Sequence, residues 1–172
     1  MVDIEHLQFG LETFGDIVAN EDGSLQTAAA SIRQIVREGK LADDLGIDVF
    51  GVGEHHRPDY SVSSPETVLA AISAVTKQVK LATAVTVLSS DDSVRVYERF
   101  ATLDALSNGR AQGMLGRGSF TASFPLFGYD LTDYDDLFNE KLGLYDALRN
   151  EKAVTWSGKF RAALKNQEVY PN

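Results

Sequence analysis

Short runs of β-branched and apolar residues alternate along this chain with longer stretches in which apolar positions recur every three or four residues. That alternation signals β-α units built around a parallel sheet. The first apolar run, His6-Leu7-Gln8-Phe9-Gly10-Leu11, is bounded by Gly15 and the polar loop Asn20-Glu21-Asp22-Gly23-Ser24. A helix is predicted over residues 25–45, where Ile32, Ile35, Val36, Ala42 and Leu45 form one apolar face and Gly46 supplies the stop. Residues 47–53 read as a buried strand that runs into Glu54-His55-His56-Arg57-Pro58. Ser64-Pro65-Glu66 opens the next helix, with a capping residue, a proline at the first helical position and an acid at the positive helix end. A third strand is predicted over residues 79–88 and a helix over 94–106, closed by Asn108-Gly109. The fourth strand, residues 111–115, empties into Gly116-Arg117-Gly118-Ser119-Phe120. A helix over 133–150 places Leu137, Phe138, Leu142, Tyr145 and Leu148 along one side, and the tail holds two short strands around Ser157-Gly158.

These four β-α units suit either an open doubly wound sheet or a closed (β/α)8 barrel. A barrel takes about 250 residues, so a chain of 172 residues holds about the first half of one, as a single domain over residues 1–172. In both architectures ligands gather at the carboxyl ends of the strands. An open half-barrel leaves two unpaired parallel edges, so the chain is expected either to self-associate, as in a dimer, or to be poorly stable alone.

Composition narrows the partners. Lysine and arginine total 16 against 25 acidic residues, a net charge of −9 without a basic cluster, which argues against nucleic acid. No apolar run approaches the ~20 residues of a membrane span, and Met1-Val2-Asp3-Ile4-Glu5-His6 lacks the order of a signal peptide. A cytoplasmic location without membrane contact is therefore expected. The absence of cysteine removes disulfides, thiolate metal sites and a cysteine nucleophile together.

Three strand ends carry candidate chemistry. Glu54-His55-His56 combines two of the chain's three histidines with a carboxylate that could orient one ring for acid/base work. The same trio could instead tie the loop down by hydrogen bonds. A metal is not expected, because neighbouring strand residues point to opposite faces. Gly116-Arg117-Gly118-Ser119 offers backbone N–H groups, a guanidinium and a hydroxyl, which suits a phosphate as well as it suits a tight turn. Thr83-Ala84-Val85-Thr86 would let a flat ring lie against the backbone, or serve packing alone. Phe120, Phe124, Phe127 and Tyr129 could cover a ligand or form core beneath a loop.

Five segments in order resemble the bacterial-luciferase-like family of flavin-dependent monooxygenases. They are Gly51-Val52-Gly53-Glu54-His55-His56, the strand from Leu81 to Leu88, Tyr97-Glu98-Arg99-Phe100-Ala101-Thr102-Leu103-Asp104, Ser107-Asn108-Gly109-Arg110 and Gly116-Arg117-Gly118-Ser119-Phe120. The resemblance covers essentially the whole chain and implies a (β/α)8 fold holding reduced FMN, supplied by a flavin reductase, with dioxygen as co-substrate. It implies a catalytic role for His55, flanked by Glu54 and His56. It places Ala84-Val85 at a non-prolyl cis bulge under the flavin ring, and Arg117, Gly118 and Ser119 at the flavin phosphate. The activity implied is oxygenation of a small organic substrate such as an aldehyde. A deazaflavin-dependent reductase of the same superfamily is the alternative, and a non-catalytic flavin-binding or assembly module is a third reading. Luciferase carries a reactive cysteine where this chain has Gly116, so light emission is not expected.

Overall fold

The structure is a computed structural model that describes residues 7–171. Residues 1–6, including His6 of the predicted first strand, and Asn172 lie outside the described residues. In chain order the elements are β1 (Gly10–Thr13), α1 (Ala28–Asp44), β2 (Val49–Val52), α2 (Pro65–Ser73), β3 (Lys80–Thr83), β4 (Thr86–Val87), α3 (Ser93–Ser107), β5 (Ala111–Gln112), β6 (Leu115–Gly116), α4 (Ser123–Phe127), α5 (Tyr134–Asn150), β7 (Val154–Trp156) and β8 (Leu164–Gln167).

Strands β1, β2, β3 and β5 pair in that order, all parallel, and the pairing resumes between β4 and β6. The predicted third and fourth strands therefore each occur as two pieces of one line. The third breaks at Ala84–Val85, whose peptide is cis as the resemblance implied, and it ends in a 3₁₀ turn, Leu88–Ser90. The fourth breaks at Gly113-Met114, and the Thr86 N–H donates to the Met114 carbonyl at 2.9 Å to carry the ladder across. The first strand sits later than its apolar run suggested, at residues 10–13, and leaves Phe9 outside the sheet. Among the described residues, β1 and the β5–β6 line each have a neighbour on one side only.

One face of the sheet is covered by helices. Phe50 and Val52 of β2 and Leu81 of β3 pack with Ile35, Leu69, Ile72 and Leu103 in a single buried cluster. Helix α1 starts three residues after its predicted onset because Thr27 is the N-cap, its side chain accepting the Ala30 N–H. Gly39 lets α1 approach α2 closely, since a Cβ there would lie 2.7 Å from Ile72 Cγ2. Helix α5 turns most of its predicted face inward: Leu137 and Leu148 are buried and Phe138 and Tyr145 pack on the core, but Leu142 is exposed while Lys141 and Leu144 are buried beside them. Lys141 is tolerated because its Nζ donates to the Ser89 carbonyl at 2.7 Å and lies 3.9 Å from the centroid of the Tyr129 ring. Burial lowers its pKa to about 8.

The loops at the amino ends of the strands are stapled by charged side chains. Asp43, at the end of α1, accepts the backbone N–H groups of Lys77, Gln78 and Val79 at 3.0, 2.7 and 2.8 Å. Burial works to raise its pKa, but the three donors outweigh burial and hold the carboxyl below its ordinary value. Arg110 donates to Thr76 Oγ1 and to the carbonyls of Ser73, Thr76, Val79 and Ser107. The Ser107-Asn108-Gly109-Arg110 motif is thus a structural device: Asn108 takes the left-handed C-cap conformation and Arg110 binds the turn before β3. Replacing Asp43 with alanine strands three donors at once, so a loss of about 3 kcal/mol or more is expected in urea unfolding. A loss under about 1 kcal/mol would show that water replaces the carboxylate. No helix among the described residues is long and apolar enough to cross a membrane.

Candidate functional site

Parallel strands deliver all their carboxyl ends to one side of the sheet. There, a cavity of about 330 Å³ is lined by Phe14 after β1, by His55 and Tyr60 after β2, by Ala84 and Val85 between β3 and β4, and by Gly118, Ser119, Phe120 and Ser123 after β6. That volume lies at the lower end of the range for small-molecule sites. The candidate residues from three separate strand ends are therefore brought together.

Glu54, His55 and His56 follow β2 in a loop and all three line the cavity, but their side chains take different partners. Glu54 and His56 pair with each other, Oε1 to Nε2 at 2.9 Å, with both side chains about nine-tenths buried. The second oxygen of Glu54 accepts the Val87 N–H at 2.9 Å. Burial raises the Glu54 pKa above its ordinary value, opposing the Val87 N–H and His56, which lower it. The carboxylate thus orients the His56 ring, not the His55 ring. His55 points the other way into an aromatic cage. Its ring stacks on Tyr60 with centroids 4.1 Å apart, and Phe14 and Phe120 stand 5.2 and 5.3 Å away. Its Nδ1 is buried without a hydrogen-bond partner. Burial, ahead of every other influence, lowers its pKa below 6.5, so the ring is neutral at pH 7.

Close packing shapes the wall opposite. A Cβ on Gly116 would lie 2.5 Å from Val85 Cγ2, so the valine occupies the space that a side chain at 116 would need. Gly118 has φ +82°, a conformation suited to glycine, and its carbonyl accepts the Tyr134 hydroxyl at 2.6 Å. Gly118 and Ser119 line the cavity, whereas Arg117 does not. The Arg117 guanidinium is more than half exposed, donates to Asp135 at 2.6 Å and lies 5.8 Å from the Tyr134 ring centroid. Of the four aromatics after the Gly-Arg-Gly loop, Phe124 is core, Phe120 lines the cavity, Phe127 meets His56 edge-on and Tyr129 covers Lys141.

Phe14, Tyr60 and Ser123 belong to the site without having been singled out in the sequence. Phe14 had a signal, since it follows the first strand directly. Tyr60 and Ser123 had none, because loop geometry alone brings them in. The Ser123 hydroxyl is buried and, like His55 Nδ1, has no partner. Two unsatisfied polar atoms beside an apolar floor are what a flat ligand with hydrogen-bonding edges would meet. The residues present therefore fit a flat ring with hydrogen-bonding edges.

The family model described as luciferase-like monooxygenase matches residues 13–172. The N-acetyl-S-alkylcysteine monooxygenase of Bacillus subtilis is 34% identical over 105 residues, 60% of this chain and 31% of the relative. The fold matches monooxygenase RslO1 of Streptomyces bottropensis with a TM-score of 0.84 at 24% identity, covering 96% of this chain and 49% of that one. It also matches the FMN-complexed oxygenating constituent of 3,6-diketocamphane monooxygenase of Pseudomonas putida, at 0.81 and 20%, over 92% of this chain and 43% of that one. An F420-dependent secondary alcohol dehydrogenase shares the fold at 0.72 and 22%, over 95% and 48%. The chain thus spans less than half the length of the proteins it matches.

Proposed function

The chain belongs to the luciferase-like monooxygenase family, and from that premise we propose that its cavity receives the isoalloxazine ring of reduced FMN in an oxidoreductase that oxygenates a small organic substrate. The observation that carries this reading is His55 Nδ1, buried and unpartnered in a residue that lines the cavity together with Ala84 and Val85. When bound, reduced flavin supplies the electrons with which dioxygen is activated, one oxygen atom going to substrate and the other leaving as water. The chain's own residues do the rest. His55 is neutral at pH 7 and takes or holds a proton at Nδ1. Phe14, Tyr60 and Phe120 surround that nitrogen and exclude water from it. Ser123 offers a hydroxyl to a polar edge, and Glu54 keeps His56 oriented against the floor strand. Arg117, swinging from its exposed pair with Asp135, would join the backbone of Gly118 and Ser119 at the phosphate.

Titration of the chain with FMN, oxidised and then photoreduced under nitrogen, tests this reading through flavin absorbance and fluorescence. Saturable binding of reduced FMN is expected, with F420 weaker. Tighter binding of F420 would favour a deazaflavin-dependent reductase, the reading that the shared fold of the F420 enzyme supports. Arg117→Ala should weaken FMN about tenfold and riboflavin little, with almost no loss of stability because its ion pair is exposed. Oxygen consumption with a flavin reductase separates an enzyme from a flavin-binding module. No binding of either cofactor would overturn the proposal for this chain.

A second copy is the proposed partner. The one-sided β1 and β5–β6 lines are parallel edges. Phe9 and Leu11 are exposed at the β1 edge. Beside the β5–β6 line lies a groove of about 930 Å³ with Tyr97, Phe100, Leu142 and Tyr145 in its wall. Light scattering is expected to give twice the 18.8 kDa of one chain. A stable monomer with cooperative unfolding would overturn this pairing.

A further inference from the structure

Directly after the Ala84-Val85 floor, two buried carboxyl groups from different elements take hold of consecutive residues of β4. Glu54 accepts the backbone N–H of Val87. Glu66, the second residue of α2, accepts the Thr86 hydroxyl at 3.1 Å. Glu66 is 6% exposed and Thr86 is fully buried, and neither lines the cavity above Ala84-Val85. The acid/base work proposed for the site does not use Glu66. A carboxyl group at that depth costs desolvation unless something compensates it. Three features do so here: the helix start of α2, the Thr86 hydroxyl, and Arg99 of α3, whose Nε lies 3.6 Å from Glu66 Oε1. Arg99 is held in turn by Asp91. The arrangement lies in the wall of a second cavity of about 420 Å³, which shares Glu54 and His56 with the first.

We propose that Glu66, braced by Arg99, is a positioning residue that seats the flavin-ring floor by anchoring Thr86. The hydroxyl of Thr86 is the handle and Val87 the second fixed point. Between the cavity floor and the helix layer, β4 is only two residues long and its ladder partner β6 is equally short. Backbone pairing alone gives such a strand little restraint, and the two side-chain acceptors supply the rest. This assignment rests on the reading of Ala84-Val85 as the ring floor.

Thr86→Val tests it by removing the hydroxyl with almost no change of shape, and Thr86→Ser restores the hydroxyl. The first readout needs no flavin: amide hydrogen exchange at Thr86 and Val87. Exchange about tenfold faster in Thr86→Val, returned to wild type in Thr86→Ser, is expected. The second readout is affinity for reduced FMN and reduced riboflavin. Thr86→Val should weaken both by a similar factor, about tenfold, because the ring and not the phosphate loses its seat. Thr86→Ser should bind as wild type does. Thr86→Ala carries the same expectation as Thr86→Val and replaces it should the valine variant not fold. Glu66→Gln keeps an acceptor for the hydroxyl, so it should retain slow exchange. Unchanged exchange in Thr86→Val, or faster exchange that Thr86→Ser fails to reverse, overturns the proposal. So does unchanged flavin affinity in a variant whose exchange has quickened. If wild type itself binds no flavin, the functional reading fails, and a slow, hydroxyl-dependent exchange at Thr86 and Val87 would leave only an anchor of the strand, overturning the role assigned to it.

Discussion

Replacing His55 with alanine is expected to cut turnover by about 10²–10⁴-fold, the range for loss of a positioned general base, while reduced FMN still binds within a few-fold of wild type. The binding surface is mostly the Ala84-Val85 floor and the surrounding aromatics, which the substitution leaves in place. The measurement is single-turnover oxidation of bound reduced flavin with substrate, read beside the equilibrium titration. Unaltered turnover would remove His55 from the chemistry. The pH dependence gives a second check with a definite sign. Burial depresses the His55 pKa below 6.5 in the folded protein. The neutral ring therefore dominates at pH 7, and the acid limb of the wild-type rate profile should fall below pH 6.5. The same depression makes neutral His55 stabilising: the contribution is fully present above the unfolded pKa of about 6.5 and is lost as pH falls through the folded pKa. His55→Ala should lose both the acid limb and that part of the acid-side stability. An unchanged acid limb in the variant would show that His55 is not its source.

Gly116→Ala is expected to be the more damaging change to the fold around the site. The added Cβ would sit 2.5 Å from Val85 Cγ2, far inside any real contact. Overpacking of this kind costs about 1–3 kcal/mol, which for a domain of this size lowers the melting temperature by roughly 3–10 °C. Val85 also lines the cavity, so its displacement should weaken flavin binding in the same variant. The double variant Val85→Ala/Gly116→Ala exchanges the volumes across the contact and should recover most of both losses. Thermal melts and flavin titration of the four proteins form a double-mutant cycle. Additive losses would show that the two residues do not share one space.

The strand ends were legible in the sequence because they are local. A β-branched run followed by Glu54-His55-His56 marks a strand and its carboxyl end whatever packs around it. The caps were less so: Ser64 stands at the N-cap of α2 as expected but its side chain makes no capping hydrogen bond, whereas Thr27 and Asp92, which accept backbone N–H groups at the starts of α1 and α3, were not read as caps. The inward face of α5 was legible in Leu137, Phe138, Tyr145 and Leu148 but not at its centre. Periodicity favoured Leu142, yet Lys141 is the residue that turns inward, because distant Ser89 and Tyr129 satisfy its ammonium group. Nor was the divided third strand legible from pattern, since residues 81–88 are uniformly apolar or β-branched; there the family resemblance supplied the break. Glu66 read as an acid at a helix start, which it is, but its grip on Thr86 spans twenty residues of chain and follows only from packing.

The sequence by itself determined the class of fold, the family and which loops would meet at one end, because alternating hydrophobic period and short motifs depend on near neighbours. Tertiary structure decided which atom of each motif faces the cavity. It paired Glu54 with His56 and left His55 Nδ1 free, turned Arg117 outward to Asp135, and brought Tyr60 and Ser123 to the wall. Those outcomes depend on side-chain direction and on partners remote in the chain, quantities that burial and hydrogen bonding fix only once the sheet and helices are in place.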